Sequence, residues 1–186
     1  AADNLLVQLS GMAADEIQSR QREGDVGDVD ETAEKIAVGA LHYYLLQTSP
    51  NRDMVFNPKE SLSFTGDTGP YLQYTGARIE SMLRRQPAPM EGWQSSLEVR
   101  EEWDLAKLVA SYPFAVESAA QQFSPALVAT HLYDTAKTFS RFYHDHPIAV
   151  ASDPTTRDRR LALAKAVGNV LRNGMHLLNI PFLSAM

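Results

Sequence analysis

The sequence predicts an all-α protein, a helical bundle of about seven helices, and three observations support that prediction. Apolar residues recur every three or four positions along most of the 186-residue chain, which is the spacing of one helix face. Capping residues and prolines mark where the segments begin and end. Alternation of apolar and polar residues, which is typical of strands, does not persist over any useful length. The connections between segments are short, which favours a bundle, at least after residue 67.

The first two helices are expected in the N-terminal part of the chain. Residues 3–22 carry an apolar stripe at helical spacing. A second helix should open at Asp28, because Glu31 follows three residues later as in a capping box. Segment 48–66 is interrupted by prolines and a glycine, so it is expected to be mainly loop.

Five further helices are expected in the remainder of the chain. Start signals recur here, such as the capping box of Ser95 with Glu98 and prolines in the first turn. The step Tyr112-Pro113 should divide one apolar segment into two helices, because proline lacks the amide hydrogen that a helix interior needs. The expected helices span residues 67–85, 96–111, 112–123, 124–144 and 153–178.

Charge is distributed unevenly along the chain. There are 17 basic and 23 acidic residues, which give a net charge of −6. Residues 1–70 hold 5 basic and 12 acidic residues, a net of −7, whereas residues 71–186 hold 12 and 11, a net of +1. Such asymmetry indicates two units with different partners. The acidic total argues against a nucleic-acid binder, but the second part of the chain does not share the acidic excess.

Several classes of site are excluded or disfavoured by the composition. The chain has no cysteine, so neither a disulfide scaffold nor a thiolate metal site is available. Its apolar runs are too short for a membrane span. Neither a phosphate-binding glycine loop nor a His-Glu-x-x-His motif occurs. His144 and His146 are two residues apart and face different sides of a helix, which favours a position at a helix C-terminus over joint metal ligation. We therefore predict no catalytic residue and no metal ligand.

Aromatic residues with basic neighbours are the remaining candidates for function. Tyr71, Tyr74 and Arg78 share one helix face at spacing i, i+3 and i+7, and Gln73 lies beside that face. A second group comprises Tyr133, Phe139, Arg141, Phe142 and Tyr143. Such residues stack on unpaired bases and contact base edges. Tyrosines at helical spacing also form ordinary cores, so the residues alone leave both interpretations open; for Phe139 and Phe142 the core is favoured.

A longer stretch of sequence resembles a known family. Residues 64–79 read Phe-Thr-Gly-Asp-Thr-Gly-Pro-Tyr-Leu-Gln-Tyr-Thr-Gly-Ala-Arg-Ile and resemble the segment that opens the anticodon-binding domain of arginyl-tRNA synthetases. Residues 36–44 are similar to the family's late catalytic-domain helix. Residues 132–143 and 159–180 are similar to its last two helices. The resemblance covers nearly the whole chain, in order.

The resemblance implies that the chain is a C-terminal fragment of such an enzyme. The family's nucleotide-binding core would lie upstream, and its His-x-Gly-His and Lys-Met-Ser-Lys-type signatures do not occur here. Residues 1–66 would be the C-terminal remnant of the catalytic domain, and residues 67–186 the α-helical anticodon-binding domain. The parent enzyme would attach arginine to its tRNA in the cytoplasm, using ATP with Mg. The fragment would bind arginine tRNA and the missing catalytic domain, without a cofactor, a membrane or DNA, and would not aminoacylate alone.

The resemblance also implies roles for individual residues. In the family, splayed anticodon bases are held by aromatic side chains of these helices and by the chain terminus. Transferred by motif, the tRNA-binding residues are Tyr71, Gln73, Tyr74, Arg78, Tyr133 and Met186. Candidates for phosphate contacts are Arg85, Lys137 and Arg141. Residues 181–185 depart from the family pattern, which has a charged pair just before the terminal methionine.

The alternative hypothesis is a non-catalytic helical protein-interaction module that keeps the synthetase fold and has lost the RNA role. The balanced charge of residues 71–186 is compatible with that alternative. An upstream reading frame that carries the two nucleotide-binding signatures would favour the synthetase, whereas an unrelated upstream domain would favour the interaction module.

Overall fold

The computed structural model describes residues 2–19, 27–49, 51–86, 96–151 and 153–186, and all of its regular structure is helical. The helices are α1 (Ala2–Ser19), α2 (Val29–Leu46), α3 (Pro58–Ser61), α4 (Gly69–Arg84), α5 (Arg100–Gln121), α6 (Ala126–Asp145) and α7 (Pro154–Leu177). The described residues contain seven helices and no strand, so the predicted all-α fold is confirmed. Beyond α7, residues 179–186 form a non-helical segment that we call the strap.

Three helices begin at the capping signals that the sequence contains. Side-chain oxygens of Asp28, Thr68 and Asp153 each accept the amide hydrogen of the residue three positions later, at 2.9, 3.2 and 2.7 Å. Proline occupies the first turn of α4 and of α7, where no intrahelical donor is required. The cap at Thr68 sets the residue at which α4 begins, and therefore the direction in which its tyrosine-bearing face points.

Two helix boundaries differ from the prediction. The helix α5 is continuous through Pro113, whereas the sequence predicted two helices that meet there. Both halves of α5 pack in the same core, and this packing offsets the cost of about 3 kcal/mol for an internal proline. In addition, α5 begins after Val99 rather than at residue 96, and the expected cap at Ser95 lies outside the described residues. The segment 48–66, expected to be loop, contains the one-turn helix α3.

Two apolar clusters hold the helices together. The larger one lies mainly among α4, α5, α6 and α7 and includes Phe139 and Phe142, which are 1% and 0% exposed. Their predicted core position is therefore confirmed. Burial of each side chain contributes about 1.5–3 kcal/mol to the free energy of folding. The smaller cluster joins α1 and α2 to the strap through the residues Ala13, Ile17, Ala33, Ile36 and Leu183. The strap is thus packed against the N-terminal helices as well as against the bundle.

Helix α2 makes a close contact with the start of α4. A Cβ atom on Gly69 would lie 2.1 Å from the carbonyl oxygen of Gly39, so only glycine allows the two backbones to approach this closely. Beside this contact, the buried hydroxyl of Tyr43 donates a hydrogen bond to Asp67. Burial and this hydrogen bond raise the pKa of Tyr43 above its ordinary value, so the phenol stays protonated. The contact fixes α4 relative to α2.

Candidate nucleic-acid interface

An open groove of about 480 Å³ lies between α4, the end of α6 and the strap. This volume falls within the range of about 300–1,000 Å³ that is usual for small-molecule sites. The groove combines aromatic rings, guanidinium groups and a thioether. These side chains belong to Tyr74, Arg78, Arg84, Arg85, Tyr143 and Met186. Four predicted residues therefore line the same groove: Tyr74, Arg78 and Arg85, which belong to α4 and its C-cap, and the distant Met186.

Arg78 and Tyr143 form a stacked pair across α4 and α6. The guanidinium carbon of Arg78 lies 4.0 Å from the ring centroid of Tyr143, a contact worth about 0.5–1 kcal/mol at an exposed site. Tyr143 also contacts the ring of the buried Phe139, with centroids 6.0 Å apart. The sequence placed Tyr143 in the second group of aromatic candidates, but the family motif did not carry it over as a tRNA-binding residue. Its place in the aromatic run of α6, four residues after Phe139, is the signal that could have identified it.

Three arginines give the groove positive charge. Arg78, Arg84 and Arg85 are all exposed. Across the described parts of the chain, no ion pair joins any of the three to an aspartate or glutamate side chain. Arg84, which sequence reasoning missed, donates a hydrogen bond of 2.9 Å to the carbonyl oxygen of Ser184 in the strap. Guanidinium groups in such a setting bind phosphate oxygens and base edges.

Tyr71 and Tyr133 lie at the α4–α6 interface and do not line the groove. The hydroxyl of Tyr71 donates to the hydroxyl oxygen of Ser140 at 2.9 Å. The ring of Tyr133 meets that of Tyr71 at an angle of 61°, with centroids 6.0 Å apart. Tyr133, Lys137 and Arg141 follow one stripe of α6 at spacing i, i+4 and i+8, and both cations are exposed. The ammonium nitrogen of Lys137 lies 5.6 Å from the Tyr133 centroid.

Gln73 occupies a position that differs from the expected one. Its side chain is 0% exposed, so it has no surface to offer to a base. The amide nitrogen donates to the carbonyl oxygens of Lys35 in α2 and Pro181 in the strap, both at 2.9 Å. The reason is helical geometry, because residue 73 is rotated away from the face of Tyr71 and Tyr74 and points toward α2.

A second cluster of arginines lies between the N-terminal turns of α5 and α7. Arg159 is 0% exposed; its Nε lies 3.1 Å from Glu102 and its Nη2 lies 2.8 Å from Glu98. Arg160 approaches the other oxygen of Glu102 at 3.2 Å. Burial alone would raise the pKa of Glu102, but the amide of Glu98 and the two guanidinium groups hold it below its usual range. Because acidic groups compensate these cations, the cluster joins two helices and leaves little charge for a ligand.

The histidine pair lies at the end of α6. His144 is exposed in the last turn, and His146 is the C-cap residue, with its Nε2 3.4 Å from Glu101. Within the described ranges, no three histidine, aspartate or glutamate side chains converge as metal ligands would. None of the described helices combines the length and the apolar character that crossing a bilayer requires.

Comparison with known proteins places this arrangement in a family. Residues 72–186, which include every groove residue named above, match the family model of the DALR anticodon binding domain. The whole chain aligns with arginine–tRNA ligases, at 47% identity to that of Treponema denticola and 35% to that of Borreliella burgdorferi. It covers 33% and 32% of those two proteins, so it spans about a third of the length of the curated relatives it matches.

A solved structure shows the same arrangement of helices. The arginyl-tRNA synthetase of Thermus thermophilus superposes on 100% of this chain with a TM-score of 0.88 and 29% sequence identity, over 32% of its own chain. The family model matches well over half of the residues, and the fold agrees with it. The chain therefore belongs to the DALR anticodon binding domain family.

Proposed function

We propose that the chain is the anticodon-recognising part of an arginine–tRNA ligase and that the groove holds an unpaired anticodon base of arginine tRNA. The observation that carries this proposal is the convergence of Tyr74, Arg78, Arg85 and Met186 on one open groove. The similarity of the whole chain to arginine–tRNA ligases supports arginine tRNA as the partner.

The groove offers the chemistry that an unpaired base requires. The ring of Tyr74 provides a stacking face, and a stacked base contributes about 1–3 kcal/mol to affinity. Met186 lines the same groove, where its flexible side chain offers an apolar contact to a base. The Arg78 guanidinium, oriented by its stack on Tyr143, donates hydrogen bonds to a base edge or a phosphate. Anticodon-loop bases are accessible to such contacts because they are unpaired.

A second element of the interface is the exposed stripe of α6. Lys137 and Arg141 present cations along the same side of the helix as Tyr133, and Arg85 presents another at the groove. We assign these three cations to phosphates on either side of the bound base. Phosphate contacts place the loop without reading its sequence, so base selection rests on the groove.

Anticodon binding and arginine activation belong to different parts of the proposed synthetase. Residues 67–186 form the anticodon-binding domain, and residues 1–66 are the end of the catalytic domain. The part of the enzyme beyond this chain activates arginine with ATP and Mg, in the cytoplasm. This chain needs no cofactor, binds neither DNA nor membrane, and does not aminoacylate by itself.

A binding titration tests the proposal. The chain is titrated with an arginine tRNA transcript, and with the same transcript carrying the anticodon of another amino acid, at several salt concentrations. We expect tighter binding to the arginine anticodon and weaker binding of both transcripts as salt rises. Equal affinity for the two anticodons would overturn anticodon recognition. No binding of either transcript would favour the protein-interaction module instead.

A further inference from the structure

The strap is held in place by side chains from α2 and α4. Three of its backbone carbonyl oxygens, those of residues 179, 181 and 184, accept hydrogen bonds from His42, Gln73 and Arg84 at 2.7, 2.9 and 2.9 Å. A carbonyl can only accept, so the Nδ1 of His42 carries the hydrogen. These bonds hold the strap backbone at its first, third and sixth residues.

Two strap side chains add packing to these hydrogen bonds. Phe182 lies so close to α4 that a Cβ atom on Gly76 would come within 2.6 Å of its ring. The guanidinium carbon of Arg172 covers the same ring, 4.1 Å from its centroid. Leu183 is buried in the cluster formed by α1 and α2. The strap is therefore anchored on both sides before it reaches the groove at Met186.

Gln73 connects helix α2 to the strap through a single amide group. Its nitrogen donates to the carbonyl of Lys35 in α2 and to the carbonyl of Pro181 in the strap. Both partners are acceptors, so the orientation of the amide is determined. The absence of a side chain on Gly39 makes room for the amide, since a Cβ atom there would lie 2.7 Å from its nitrogen. The side chain thus connects the backbone of α2 to the backbone of the strap.

We propose that Gln73 is a positioning residue of the groove, which ties the strap to α2 and thereby sets where the strap presents Met186. For its RNA consequence this inference rests on the proposed function. The groove is lined from α4, from the region around the end of α6 and from the strap. Helices α1 and α2 still determine the shape of the groove, because they hold the strap in place. The amide of Gln73 links the strap to α2, and Leu183 of the strap is buried against α1 and α2.

Spin labelling of the strap tests the positioning role without RNA. The chain has no cysteine, so Ser184→Cys, at an exposed strap position, provides a single labelling site, and Ala120→Cys provides a reference site on the exposed surface of α5. Gln73→Met keeps the length of the side chain and removes both donors. The matched control is Thr75→Ala, which is also buried in α4 and removes a methyl group and a hydroxyl that donates to the carbonyl of Tyr71 within the same helix.

We expect Gln73→Met to raise the mobility of the label at residue 184 and to leave the label at residue 120 unchanged. The Thr75→Ala control should change neither. Unchanged mobility at residue 184 would overturn the proposal. So would increased mobility at both sites, because Gln73 would then support the whole fold rather than the strap.

A double-mutant cycle tests the consequence for RNA. Gln73→Met and Met186→Ala should each weaken binding of arginine tRNA by the same factor, and the double variant by no more than either one. Loss equal to the product of the two factors would contradict positioning through the strap. If the wild-type chain does not bind arginine tRNA, the proposed function fails, and the spin-label result still decides the role of Gln73.

Discussion

Arginines occur in two contrasting settings in this molecule. Arg78, Arg84 and Arg85 line an open groove and, among the described residues, pair with no aspartate or glutamate. Arg159 is fully buried between α5 and α7 and lies against Glu102, which is equally buried. Buried charge must be paired to be tolerated, whereas exposed and uncompensated charge attracts an oppositely charged ligand. The surroundings of each guanidinium therefore separate a structural role from the binding role that we propose for the groove.

The largest effect is expected from breaking the buried pair. Arg159→Met leaves the carboxylate of Glu102 buried with one guanidinium fewer and should lower the free energy of unfolding by about 3–5 kcal/mol. Urea unfolding at neutral pH measures this loss. Arg100→Met removes an exposed ion pair with Asp104 and should cost less than about 1 kcal/mol. Similar losses of unfolding free energy in Arg159→Met and Arg100→Met would contradict the contrast between buried and exposed arginines.

The same pair should make stability sensitive to acid. The pKa of Glu102 is lower in the folded chain than its ordinary value of about 4.3, so the unfolded chain binds a proton more readily. The stability from this group is fully present above about pH 4.3 and is lost as the pH falls through the folded-state pKa. In urea unfolding between pH 7 and pH 3, the stability difference between wild type and Glu102→Gln should shrink below about pH 4.3. A difference that stays constant over this range would exclude the linkage.

In the groove, the largest single effect on binding is expected at Tyr74. Tyr74→Ala removes the stacking face and should weaken binding of arginine tRNA by about 1–3 kcal/mol. Tyr74→Phe keeps the ring and should bind nearly as wild type does. Fluorescence anisotropy with labelled tRNA measures both affinities. If both variants bound equally well, stacking would not be the contribution of this residue.

A smaller effect is expected at Arg85. Arg85→Gln should weaken binding of every tRNA to the same extent and reduce the slope of log affinity against log salt by about 1. Arg52→Gln removes an exposed cation in the loop between α2 and α3 and serves as the matched control. A salt slope that both variants share with the wild type would show that Arg85 does not contact a phosphate.

The sequence predicted the tyrosine face of α4 because local signals determine it. Thr68 and Pro70 mark the start of the helix, and the spacing of Tyr71, Tyr74 and Arg78 then follows from helical periodicity. Of these three, the structure brings Tyr74 and Arg78 into the groove and places Tyr71 at the α4–α6 interface. Helical periodicity shows that residues share a face of a helix. It does not show which of them line an open groove and which pack against a neighbouring helix.

Other features depended on contacts between distant parts of the chain. Gln73 is buried because Gly39 of α2 leaves room for its amide, which no local pattern indicates. Pro113 is accommodated because both halves of α5 meet the same core. The pairing of Arg160 with Glu102 joins residues 58 positions apart. Arg84 belongs to the groove because the strap returns to α4, which is again a tertiary contact.

The most direct test of the account is a cycle that varies the protein and the anticodon together. Affinities of wild type and Tyr74→Ala are measured for arginine tRNA and for the same transcript with a replaced anticodon. We expect wild type to discriminate between the two transcripts, Tyr74→Ala to lose most of this discrimination, and Arg85→Gln to retain it. Full discrimination by Tyr74→Ala would contradict the claim that this groove reads the anticodon.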